Sequence, residues 1–69
     1  MAIAESVKNL RLSLGMEQVE FAKLFNVAGG TVSNWETGRR VPRIPKLKKM
    51  VDIAKDHKLK LTMQDFFPM

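Results

Sequence analysis

The chain has 69 residues, no cysteine and a formal net charge of +5. A chain this short allows one domain with a marginal core, to which every element or a second copy must contribute, and the missing cysteine excludes disulfides and thiolate metal sites. No apolar run approaches the ~20 residues of a membrane span and no signal-peptide layout is present, so a cytoplasmic protein is expected.

Ile3 to Leu14 reads as the first helix. Ile3, Val7, Leu10 and Leu14 recur at i, i+4, i+7 and i+11, one apolar stripe. Gly15 follows the last of them, where a glycine ends a helix. Leu12 lies off the stripe and is expected to face outward. Met16 is expected in the core, and Glu17 stands where the next helix needs a cap. Glutamate caps less well than Ser, Thr or Asp, but its carboxylate suits the positive end of the helix dipole. The second helix is expected over Gln18 to Phe25, with Phe21, Ala22 and Phe25 one turn apart on one side. Asn26 tolerates the left-handed conformation of a helix stop, and Val27 is expected as the buried pin of the turn.

The third helix is expected to start near Ala28–Thr31 and to end by Thr37–Gly38, with Val32 and Trp35 on its buried side. Gly29 and Gly30 are poor helix formers. At a helix N-terminus they cost less and let backbone N–H groups approach a ligand closely. Arg39 to Pro45 reads as a loop stiffened by Pro42 and Pro45, and Pro45 is placed to open a fourth helix. Ile44, Leu47, Met50, Val51 and Ala54 give that helix its stripe, through about Asp56. Lys58–Lys60 connects to a last short helix, Met63 to Phe67, with Thr62 as N-cap and Leu59, Leu61 and Phe66 packing inward. The alternation of Leu59 and Leu61 equally allows a short strand over Lys58–Thr62. The expected architecture is all-α, one domain over 1–69 with a central helix-turn-helix at 18–38.

Charge is unevenly spread. Residues 1–36 carry net −1 and residues 37–69 carry +6; Thr37 to Val51 holds Arg39, Arg40, Arg43, Lys46, Lys48 and Lys49 with no acid. A one-sided basic patch is the footprint of a polyanion binder, although it can also be a merely solvated face. Its place directly after two short helices joined by a tight turn favours DNA, because the second helix of such a unit lies in the major groove. Catalysis is not expected. His57, between Asp56 and Lys58, reads as a solvated side chain, Gly29–Gly30 is not a phosphate loop with a following lysine, and Asp52, Asp56 and Asp65 lack metal-ligand spacing. No metal, cofactor or small-molecule ligand is expected.

The series Gln-x-x-Phe-Ala-x-x-Phe, Asn-Val, a short turn, Thr-Val-Ser-Asn-Trp-Glu-Thr-Gly and a basic Pro-containing loop runs through most of the chain. Over roughly Val7 to Phe66 the chain resembles the XRE family of helix-turn-helix proteins, to which lambdoid phage repressors and Cro proteins belong. The resemblance implies a five-helix lambda-repressor-like fold and a role for each matching residue. Gln18 matches the glutamine that hydrogen-bonds a DNA phosphate. Positions 29, 30, 33 and 34 match those that face base edges, with Thr31 beside them. Thr37, Arg39 and Arg40 match the loop that grips the backbone, Arg43 adds charge, and Lys46 lies at a helix N-terminus that often meets a phosphate.

Two departures qualify this. Gly29 and Gly30 supply no side chain at two reading positions, leaving Ser33, Asn34 and Thr31 to read bases. Asn pairs bidentately with adenine, and each good bidentate pair contributes about 1–3 kcal/mol of discrimination, a thin basis for a specific operator without dimerisation or shape readout. Leu12, Val19 and Leu24 put apolar residues where the family usually has polar ones, and Phe66, Phe67 and Met69 add more near the end; together they are candidates for a protein interface. Two functions are therefore expected. The first is a DNA-binding regulator of phage repressor or Cro type, recognition helix about 28–37, acting on double-stranded DNA as a homodimer. The second is a protein-interaction modulator on the same fold, an anti-repressor bound to another regulator or the antitoxin of a toxin–antitoxin pair.

Overall fold

The computed structural model describes residues 3–58. They form four helices: α1 (Ile3–Ser13), α2 (Gln18–Leu24), α3 (Gly29–Thr37) and α4 (Ile44–Asp56). The all-α expectation stands, with four of the five expected helices among the described residues. The expected last helix at Met63–Phe67, and the interface candidates Phe66, Phe67 and Met69, lie outside the described residues. So does most of the alternative strand; its first residue, Lys58, is left-handed, with φ 56°.

Local chemistry fixes where the helices stop. Gly15 has φ 69°, and behind it Met16 N–H donates to the Arg11 carbonyl at 3.2 Å and Gly15 N–H to Leu12 at 3.0 Å. The same pair of bonds closes α2 around Asn26, which has φ 57°: Val27 N–H donates to Ala22 and Asn26 N–H to Lys23, at 3.1 and 3.3 Å. This is the Schellman arrangement, which satisfies carbonyls left orphaned at a helix end. At the start of α2, Glu17 N–H donates to Glu20 Oε1 at 3.1 Å, the glutamate half of a capping box.

The core gathers Val7 and Leu10 of α1, Phe21 and Ala22 of α2, Phe25, Val32 and Trp35 of α3, and Leu47, Met50, Val51 and Ala54 of α4. Phe25 is central. Its ring centroid lies 4.9 Å from that of Phe21 and 5.9 Å from that of Trp35, the latter edge-on, as the ring quadrupole favours. Four residues differ from expectation. Ile44 was read as the first residue of the α4 stripe, yet it is 59% exposed; in that first turn Lys46, not Ile44, faces the neighbouring helix. Met16 and Val27 are half-buried at the edge of the core rather than inside it. Leu24, a candidate for a protein interface, is half-buried against the core on the last turn of α2.

A candidate nucleic-acid interface

α2 and α3 pack more extensively on each other than any other pair of helices. Gln18 at the start of α2 and Glu36 in the last turn of α3 meet in one polar group that also takes in Arg11 of α1. Arg11 on α1 donates from Nε to Glu36 Oε2 at 2.6 Å and from Nη2 to Glu36 Oε1 at 3.0 Å. Its Nη1 donates to the Met16 carbonyl at 3.0 Å. The pair is largely out of water, with the side chains 12% and 5% exposed. The hydrogen bonds that Arg11 donates to the Glu36 carboxylate raise its pKa above the ordinary value, so the guanidinium stays charged. Gln18 completes the group, its Nε2 donating to Glu36 Oε1 at 3.2 Å. One acid on α3 thereby holds α1, the α1–α2 turn and the first residue of α2. Neither Arg11 nor Glu36 was singled out in the sequence; their one signal is opposite charge beside the apolar stripes of two different helices.

Two more side chains tie α4 to α2: Lys46, expected near a phosphate, and Lys49, noted in the sequence only as part of the basic run. Lys46 Nζ donates to the Phe25 carbonyl at 3.2 Å, Lys49 Nζ donates to the Leu24 carbonyl, and the Lys49 ammonium lies 5.7 Å from the Phe25 ring centroid. Cations belong at the negative end of a helix dipole, so part of the acid-free basic run has a structural cause. Arg39, Arg40, Arg43 and Lys48 remain exposed.

The exposed side of α3 and the loop after it enclose a groove of about 390 Å³, lined by Val27, Thr31, Asn34, Trp35, Arg40, Val41, Arg43 and Lys46. Of the residues expected at the site, it brings together Thr31, Asn34, Arg40, Arg43 and Lys46. The loop is held over the helix end by Arg40 N–H, which donates to the Asn34 carbonyl at 3.2 Å, and Thr37 Oγ1 donates to that same carbonyl at 3.3 Å. Gly38, with φ 80°, makes this turn possible. Ser33 is half-exposed on α3, and Arg39 is exposed on the loop, but neither lines the groove. Gln18 and Gly29 stand at the other end, where the N-termini of α2 and α3 meet. Gly29 has a packing cause as well: a Cβ there would lie 3.0 Å from Val19 Cγ2 and 3.6 Å from Val19 Cα, whereas a Cβ at Gly30 would meet nothing within 4 Å.

Two short helices, a four-residue turn spanning 25–28 and a supporting helix on either side define a helix-turn-helix protein. The helix-turn-helix family profile matches residues 7–54, from the first core valine of α1 to the last core alanine of α4. The chain belongs to the XRE family of helix-turn-helix proteins, a family of DNA-binding regulators. No curated protein and no solved structure matches the chain. Among the described residues, no helix is long and apolar enough to cross a membrane.

Proposed function

We propose that this protein is a small transcriptional regulator of the phage repressor or Cro kind, binding double-stranded DNA with residues of about 28–37 in the major groove. The groove carries this reading: it sets Asn34 and Thr31, which can hydrogen-bond base edges, beside Arg40, Arg43 and Lys46, which can neutralise phosphates. Gln18 keeps a second amide hydrogen for a phosphate after its bond to Glu36. Ser33 supplies a further contact from α3, and Arg39 and Thr37 act from the loop. Lys46 contributes charge from a position fixed by the Phe25 carbonyl.

Binding should fall steeply with salt. Arg39→Ala and Arg40→Ala are each expected to fold normally, since both side chains are exposed. Each should weaken binding to all sequences alike and reduce the slope of log K against log salt by about 0.9. Filter binding or anisotropy at several salt concentrations measures this; an unchanged slope in both variants removes the loop from the phosphate grip.

Gly30→Ala separates fold from recognition. Its Cβ would meet open space within the protein, so the variant should be more stable by roughly 0.4–1 kcal/mol through loss of unfolded-state freedom. The same methyl would stand on the face proposed to approach the bases, and affinity should drop severalfold. A variant that melts higher and binds DNA as tightly as the parent would show that the tip of α3 does not approach the bases closely.

A second reading is favoured by the exposure of Leu12, Val41 and Ile44: a homodimer, or a complex with another regulator or a toxin, formed through apolar surface. It is compatible with DNA binding. Sedimentation of the full chain at high concentration decides whether the chain self-associates.

A further inference from the structure

Val19 is apolar and second in α2, yet it is 59% exposed. Its side chain does not lie on a surface remote from the recognition helix. It leans against the first residue of α3, so closely that a Cβ on Gly29 would sit 3.0 Å from its Cγ2. The branched side chain thus covers the place where a side chain at position 29 would leave the backbone. Gly30 beside it opens onto empty space. The point where the two helix N-termini meet therefore presents one rigid apolar group on bare backbone, next to the polar reach of Gln18.

Valine can make no hydrogen bond, and within the major groove the apolar group offered by an unmodified base pair is the 5-methyl of thymine. A β-branched side chain is already restricted at χ1 and gives up little freedom on contact. We propose that Val19, from the first helix of the unit and not from the recognition helix, is a specificity-determining residue that reads a pyrimidine 5-methyl group in the major groove. Gly29 is the partner that makes room for it. This rests on the DNA-binding reading above, and it moves Val19 from a protein interface to the base-reading surface.

The test uses the full chain and duplexes that it recovers from a randomised pool. Each thymine in a recovered duplex is replaced singly by deoxyuridine, which removes the methyl and nothing else. The parent protein should lose about fourfold in affinity at one thymine position, the factor expected for one methyl no longer buried. Restoring the methyl in the same place, as 5-methylcytosine opposite guanine, should bind more tightly than cytosine there. Val19→Ala should bind the thymine and deoxyuridine duplexes equally and melt close to the parent temperature, whereas Arg39→Ala should bind both more weakly and keep their ratio. Indifference of the parent to every thymine replacement overturns the proposal, as does a Val19→Ala variant with an unaltered ratio. In either case DNA binding itself would stand. A pool that yields no bound duplex defeats the DNA-binding reading, and this inference with it.

Discussion

Trp35→Ala is expected to destabilise the fold by about 3–5 kcal/mol, the usual cost of removing a large buried aromatic side chain. Trp35 is almost fully buried. Its indole packs edge-to-face with the Phe25 ring, which in turn meets Phe21, and it also lines the groove beside Asn34. The substitution would leave a void that α2 and α3 cannot close without losing their mutual geometry. Total stability for a chain of this length is about 3–10 kcal/mol, so the variant should be largely unfolded at room temperature or melt tens of degrees lower. Urea unfolding followed by circular dichroism measures it. Trp35→Phe, which keeps an aromatic ring, should lose far less. A Trp35→Ala protein that unfolds within about 1 kcal/mol of the parent would mean that Trp35 is a groove residue and not a core one.

Glu36→Ala should be the second most damaging change, at about 3 kcal/mol, near the lower end of the range for removing one partner from a buried ion pair. The guanidinium of Arg11 would remain, 12% exposed in the present packing, with only the Met16 carbonyl to receive it. Its position near the rim lets it swing partly into water, which keeps the cost from rising further. The double variant Arg11→Met with Glu36→Met should recover most of the loss, because desolvation of a buried pair nearly cancels its attraction. A double-mutant cycle in urea measures the coupling. Full additivity of the two single changes would show that the pair does not act as a unit. The same cycle bears on function, since Glu36 also receives the Gln18 amide. Freed from it, Gln18 would have to be ordered on binding, and affinity should fall even in the double variant that folds well.

Much of the fold was legible in local pattern. The boundaries of α1 to α4 fall within a residue or two of those read from apolar periodicity, and Gly15, Asn26 and Gly38 adopt the left-handed conformation expected of helix stops. These are short-range matters, set by a backbone preference or a 3.6-residue repeat. The edges of the core were less legible. Ile44 is exposed and Leu24 half-buried because burial on a helix end depends on where the neighbouring helix stops, which periodicity does not record.

The site divides in the same way. The basic loop after α3, the polar residues on it and the empty Gly29–Gly30 tip are properties of the chain in order, and sequence alone determined them together with the helix-turn-helix pattern. Which charges also tie one helix to another was decided by tertiary structure. Lys46 and Lys49 reach across more than twenty residues of chain to the end of α2, Arg11 finds Glu36 on another helix, and Val19 comes to rest against Gly29. Each of these contacts joins residues far apart in sequence, at distances set by how two helices pack. A periodic pattern specifies which face is buried; only the packed helices fix what that face meets.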